Sequence, residues 1–375
     1  MKLISVDDHV FEHSRVWLDR LPAKFQDRAP RVVEDETGFE RWLLEGELVD
    51  HMDINSGLAA AAGLDPSERS YEPRRFSEML PGLYDPIARL RDMEEDGVWV
   101  QTCFPTFARF AGTRFLRVAD KELALDCVRA YNDFIIDEWC AAAPGRFISL
   151  IILPLWDAAA SVVEIERCSA KGARGITFPD SVTPLGLPSI YTGEWDTVFA
   201  AAADNELPLC LHFGSSGVTP PVAEDAPQAV TTALFGITLY ASMAELVMSR
   251  VFHTVPNLKV AYSEGGIGWF PYAIMRMDQV WEHYRYYNLE RTINADVRPS
   301  DLVREHIYGC FIDDPVGIAN RDFIGLDNIL WESDYPHADS LFPHSRKNAE
   351  RVFESVPDAD VRKMVETNAR RLFRI

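Results

Sequence analysis

Short apolar runs alternate with longer amphipathic ones along this chain, and the alternation repeats eight times. The short runs are LISVDDHV (3–10), VWVQTCFP (98–105), FISLIILP (147–154), RGITFP (174–179), PLCLHFG (208–214), LKVAYSE (258–264), HIYGCFI (306–312) and NILWESD (328–334). They are rich in Val, Ile, Leu and Phe and apolar on both faces, which predicts buried parallel strands. Between them the pattern predicts helices over 121–142, 156–171, 193–205, 231–252 and 269–285, a short one after Pro315, and closing helices over 345–355 and 359–373. Strand-then-helix units in this number predict an α/β fold, a (β/α)8 TIM barrel formed by one domain over residues 1–375. A doubly wound open sheet is the alternative.

The longest interruption is 11–96, read as an insertion after the first strand and a candidate lid. It holds a hairpin candidate, GFERWLLEGELVD, and a stretch of small residues and turn formers, SGLAAAAGLDPSERSYEPRR.

In such a barrel, chemistry gathers at the C-terminal ends of the strands. Strand 1 ends in Asp7 and His9, strand 5 in His212, strand 6 in Glu264 and strand 8 in Asp334, with His337 three residues on. Residues two apart on a strand point the same way, so Asp7 and His9 can face one ion on the barrel axis while Asp8 faces away. With His212 and Asp334 they make a nitrogen/oxygen donor set suited to Zn²⁺ or Mn²⁺, and also to Fe²⁺. A lone strand-end histidine is more often structural, and Asp334 before Tyr335-Pro336 can simply organise a turn. Joint placement at one end of three strands is what favours a metal. Asp8→Asn is therefore expected to be mild.

Composition narrows the partners. The net charge is −21, from 58 acidic against 37 basic residues, which disfavours nucleic acid and membrane surfaces. No secretory leader is read at the N-terminus, and no apolar run is long enough to span a bilayer. The cysteines at 103, 127, 140, 168, 210 and 310 form no CxxC pair and read as reduced, buried side chains of a cytoplasmic protein. Cys103, near a strand end, has no basic neighbour in sequence to activate it as a thiolate. The expected partner is a small molecule, and a homodimer is the default assembly.

The stretches SVDDHVFE, YDPIARLRDMEEDGVWVQTCFPT, LHFGSSG, VPNLKVAYSEGGIGWFP and ILWESDYPH occur in that order. In this the chain resembles the amidohydrolase-related family, the branch of the amidohydrolase superfamily that includes aminocarboxymuconate-semialdehyde decarboxylase and γ-resorcylate decarboxylase. The resemblance implies a barrel with one divalent metal, held by Asp7 and His9 from strand 1, His212 from strand 5 and Asp334 from strand 8. Asp334 would also move protons. Decarboxylases of that family usually carry a histidine after strand 6, where YSEGGIG here places Glu264.

Three readings follow. The first is a metal-dependent hydrolase of a small carboxylated or cyclic molecule, with non-oxidative decarboxylation its closest competitor and Asp334, Glu264 and His212 as catalytic residues. The second adds Glu12, Glu264 and His337 to the donors, as a second metal site or as groups that orient the first; with iron or manganese it would serve a dinuclear oxygenase. The third is an inactive partner subunit.

Overall fold

The computed structural model describes residues 2–49, 61–65, 67, 75–286 and 296–375. Eight parallel strands pair strictly in sequence order: β1 (Leu3–Ser5), β2 (Val98–Pro105), β3 (Phe147–Ile151), β4 (Gly175–Thr177), β5 (Leu209–His212), β6 (Val260–Ser263), β7 (Ile307–Phe311) and β8 (Ile329–Trp331). Between β8 and β1 the hydrogen bonds are single rather than a ladder: Val6 N–H donates to Trp331 O at 3.1 Å and Asp334 N–H to Asp7 O at 2.8 Å. These close the sheet into a (β/α)8 barrel.

Both faces of the strands are buried, which explains their apolar runs. Ile4, Val100, Ile148, Leu150, Cys210, Ala261, Cys310 and Leu330 pack inside, and Ala369, Leu372 and Phe373 of the last helix join them. Leu3, Val98, Phe147, Ile176, Leu209, Val260, Ile307 and Ile329 face the helical layer.

Each of the eight strand runs is present, and the differences lie at ends and breaks. The first run is not one strand: β1 stops at Ser5, and the chain re-enters the sheet as His9–Val10, paired with Phe104 and Pro105. Ser5 Oγ turns back to Asp7 O at 3.2 Å across the bend. The predicted helix over 231–252 is three pieces, Gln228–Ala233, Phe235–Val247 and Val251–Thr254. Ser249 Oγ makes the last break, donating to Leu246 O and accepting from Val251 N–H.

Helices Pro86–Asp96 and Pro299–His306 were not anticipated, nor was the single turn Thr113–Leu116. Helix Pro86–Asp96 lies inside the 11–96 segment, so that segment is not a structureless insertion. Asp85 caps this helix through Ile87 N–H and Ala88 N–H, Pro86 sits in its first turn, and Gly97 ends it at φ 76°. These are ordinary start and stop signals. The segment also forms a three-stranded antiparallel sheet of Arg31–Glu34, Glu40–Leu44 and Glu47–Leu48, which contains the expected hairpin. Most of 50–74, including His51, lies outside the described residues.

Candidate metal centre

Asp7, His9, His212 and Asp334 come together at the C-terminal mouth of the barrel, all fully buried, each offering a donor atom within 4.8 Å of the others. His9 Nε2 lies 3.5 Å from Asp7 Oδ1 and 3.2 Å from Asp334 Oδ1, and His212 Nε2 lies 3.6 Å from Asp7 Oδ2. Among the described residues, both oxygens of Asp7 and of Asp334, with Nε2 of each histidine, have no hydrogen-bond partner. Buried polar atoms are normally satisfied. Six lone-pair atoms converging without partners fit a divalent cation, and the mixed nitrogen/oxygen set suits Mn²⁺, Zn²⁺ or Fe²⁺.

Local structure presents these atoms. His212 Nδ1 bonds Phe213 O at 2.7 Å, which makes Nδ1 the donor and leaves the Nε2 lone pair free. Burial pushes the His212 imidazole down to about 4 and lowers His9 as well, so both are neutral near pH 7. Burial works against the Asp334 anion, but His337 and His9 beside it hold the carboxyl below the ordinary range. Asp7 is raised by burial and by neighbouring Glu332, Asp334 and Glu264. A cation among the donors would favour its ionised form.

Glu264 and His337 sit beside this set. Glu264 Oε2 is 3.2 Å from His212 Nε2, His337 Nδ1 is 3.0 Å from Asp334 Oδ1, and Glu264, Asp334 and His337 form a second donor cluster. Glu264 and Asp334 adopt φ 59° and φ 50°, a region that non-glycine residues visit mainly at turns and functional sites. Burial, reinforced by Asp334, Asp339 and Glu332, holds the Glu264 carboxyl well above the usual range.

Glu12 does not join either cluster. Its carboxylate accepts from Phe107 N–H at 2.7 Å and Ala108 N–H at 3.2 Å, anchoring the loop after β2. That loop carries Phe110, whose ring lies 3.9 Å from the His212 ring and 5.0 Å from that of His9. Burial raises Glu12 to about 7. Cys103 is fully buried in the core between sheet and helices.

The sequence reading missed Glu332. It is buried two residues before Asp334, and its Oε2 accepts from Glu264 N–H at 3.3 Å. The two-residue spacing that singles out Asp7 and His9 applies equally to Glu332 and Asp334. Asp8, treated as a residue facing away, is also fully buried, and burial pushes its carboxyl up to about 8.

A cavity of about 340 Å³ opens beside Glu264, lined also by Glu332, Asp313, Asp314, Asp339, Phe235 and Phe311. Asp314 is committed to backbone N–H groups of Ile267, Gly268 and Gly317, and Asp313 pairs with Arg351. No described lining residue is Lys, Arg or His.

A closed (β/α)8 barrel with such donors at the C-terminal strand ends defines a class, the metal-dependent barrel enzymes. Residues 48–375 match the amidohydrolase family model, and the chain belongs to that family, as an enzyme of the amidohydrolase superfamily. It is 29% identical over 354 residues to γ-resorcylate decarboxylase from Rhizobium sp., covering 88% of this chain and 97% of that one. Among solved structures it is similar to an amidohydrolase from Mycobacterium avium subsp. paratuberculosis, with TM-score 0.75, 20% identity and 99% coverage of both chains. It is also similar to 5-carboxyvanillate decarboxylase from Novosphingobium aromaticivorans, complexed with manganese and 4-hydroxy-3-methoxy-5-nitrobenzoic acid, with TM-score 0.68, 17% identity, and coverage of 100% of this chain and 96% of that one.

Proposed function

We propose that this enzyme is a divalent-metal-dependent, non-oxidative decarboxylase of a small carboxylated aromatic or cyclic acid. The observation that carries the reading is the placement of Glu264, whose Oε2 lies 3.2 Å from His212 Nε2 beside the converging donors and which lines the cavity, with burial and the neighbouring acids pushing its carboxyl upward. The names of the relatives support the same class of reaction.

Asp7, His9, His212 and Asp334 would hold the ion, which when bound polarises the substrate carboxylate and an adjacent oxygen. The described cavity wall offers no cationic side chain, so a carboxylate substrate depends on the ion for charge. In its protonated form, which the upward push on its carboxyl favours, Glu264 would hold a proton toward the cavity and give it to the carbon that bears the carboxylate. The carbon–carboxylate bond breaks, its electron pair forms the new C–H bond, and CO₂ leaves. Glu264, now ionised, takes a proton back from water at the cavity mouth. Phe110 covers the imidazoles and limits water there.

The test is metal counting followed by CO₂ release from a panel of hydroxybenzoates. About one Mn²⁺ or Zn²⁺ per chain is expected, with turnover that falls roughly 10²-fold or more in Glu264→Gln while the ion stays bound. Full metal content, no CO₂ release and hydrolysis of an ester or amide panel would instead support metal-activated water.

A second reading rests on the cluster of Glu264, Asp334 and His337. These three would take a second ion and serve a dinuclear iron or manganese oxygenase. Two metals per chain, both lost on Glu264→Gln, with substrate-dependent O₂ uptake, would support it.

A further inference from the structure

We propose that Asp8, acting with Gln101 and Arg89, is the positioning unit for the metal ligands, because it sets the register of the one barrel seam that lacks a ladder. The proposal rests on the metal-centre reading above. Elsewhere in the barrel each strand is fixed to the next by runs of parallel pairs. Between β8 and β1 the described residues show single bonds and the lone bridge between Asp8 and Tyr335. Yet three of the four donor residues, Asp7, His9 and Asp334, stand on this seam.

The Asp8 side chain ties its two sides together. Its Oδ1 accepts from Ser333 Oγ at 2.5 Å and from Tyr335 N–H at 3.2 Å, the residues flanking Asp334. Asp8 itself lies between Asp7 and His9. One side-chain oxygen therefore grips both neighbours of Asp334, just past β8, from between Asp7 and His9, just past β1. The backbone follows the same path, since His9 N–H donates to Tyr335 O at 2.7 Å.

A third element holds the grip. Gln101 on β2 donates through Nε2 to Asp8 Oδ1 at 3.1 Å and accepts through Oε1 from Arg89 Nη1 at 3.1 Å. Those two partners assign which end of the amide is oxygen. Arg89, fully buried, donates from Nη2 to His9 O at 2.6 Å and from Nε to Gly82 O at 2.6 Å, with its guanidinium 4.3 Å over the Tyr335 ring. Helix Pro86–Asp96 is thereby locked to the backbone of a ligand. None of these side chains reaches the donor atoms, so their effect on the ion passes through Asp7, His9 and Asp334.

The experiment titrates the chelator-treated protein with Mn²⁺ alone, by calorimetry, and records the electron paramagnetic resonance spectrum of the bound ion. Asp8→Ala is expected to weaken Mn²⁺ binding roughly 10–100-fold, the range for losing an outer partner of a ligand, and to change the spectrum. Asp8→Asn keeps the Oδ1 acceptor and should recover most of the affinity. Val198→Ala, a core truncation in helix Asp196–Asp204 away from the seam, should lower the Tm and leave affinity and spectrum as in the wild type. Should Asp8→Ala fail to fold, Ser333→Ala removes one of the same bonds and should lose affinity where Val198→Ala does not. Wild-type affinity in Asp8→Ala or in Ser333→Ala, or equal losses in Val198→Ala, would overturn the positioning role alone. A wild-type chain that takes up no Mn²⁺, Zn²⁺ or Fe²⁺ would overturn the metal centre itself.

Discussion

His9 shows how a single residue divides its work between the proposed metal centre and the fold. Its imidazole meets Asp7, Asp334 and His212, while its carbonyl receives Arg89 and its N–H bonds Tyr335 O. His9→Ala keeps both backbone bonds, so the expected result is loss of bound metal and turnover with near-wild-type circular dichroism. Retained stoichiometric metal would remove His9 from the ligand set. Glu12 is a different case. Burial raises its carboxyl from 4.5 to about 7, so the folded chain binds that proton more tightly than the unfolded chain. The stability this supplies is fully present below about pH 4.5 and is lost as pH rises through about 7. Between about pH 5 and about pH 8, chelator-treated wild type should therefore lose on the order of 3 kcal/mol relative to Glu12→Gln, read by urea denaturation. A constant difference across that range would return Glu12 to ordinary behaviour.

At the level of elements, strand β7 and helix Phe270–Tyr284 approach so closely that only a hydrogen fits at Gly309. A Cβ there would lie 2.6 Å from Phe270 Cζ and 2.7 Å from Ile267 Cγ2. Gly309→Ala should cost about 1–3 kcal/mol by overpacking. Because Gly309 pairs with Tyr262 on β6, the displacement would reach Glu264 at the end of that strand. Turnover should fall more than metal affinity; unchanged stability would mean that the helix yields freely. These contacts also mark what could be read locally. The eight strands were legible because burial on both faces writes itself as an apolar run. Helix Pro86–Asp96 carried readable signals in Asp85, Pro86 and Gly97, yet its charged sequence, RLRDMEED, hides the apolar stripe. Helix Pro299–His306 is short and was hidden in the same way.

Over the whole molecule, the centre joins β1, β5 and β8, which are remote in sequence, so metal and fold should stabilise one another. Adding Mn²⁺ at about 100 times its Kd to metal-free protein should raise stability by about 2.7 kcal/mol, and a chelator should reverse the gain. His9→Ala should show no gain. A Tm insensitive to Mn²⁺, Zn²⁺ and Fe²⁺ would argue that the orphaned carboxylates are satisfied by protons instead. Among the described residues no helix is long and apolar enough to cross a membrane.

The sequence alone determined the strand count, their order and which strand ends carry Asp7, His9, His212, Glu264, Asp334 and His337, because burial and the two-residue alternation of a strand act locally. Only the tertiary structure decided which of these donors converge. It turned Glu12 away to the Phe107–Ala108 backbone and brought Glu332 up beside Glu264. It also buried Asp8 between two sides of the barrel's closing seam. Those outcomes depend on where β1 meets β8, a contact between residues some 325 positions apart, and no local pattern encodes it.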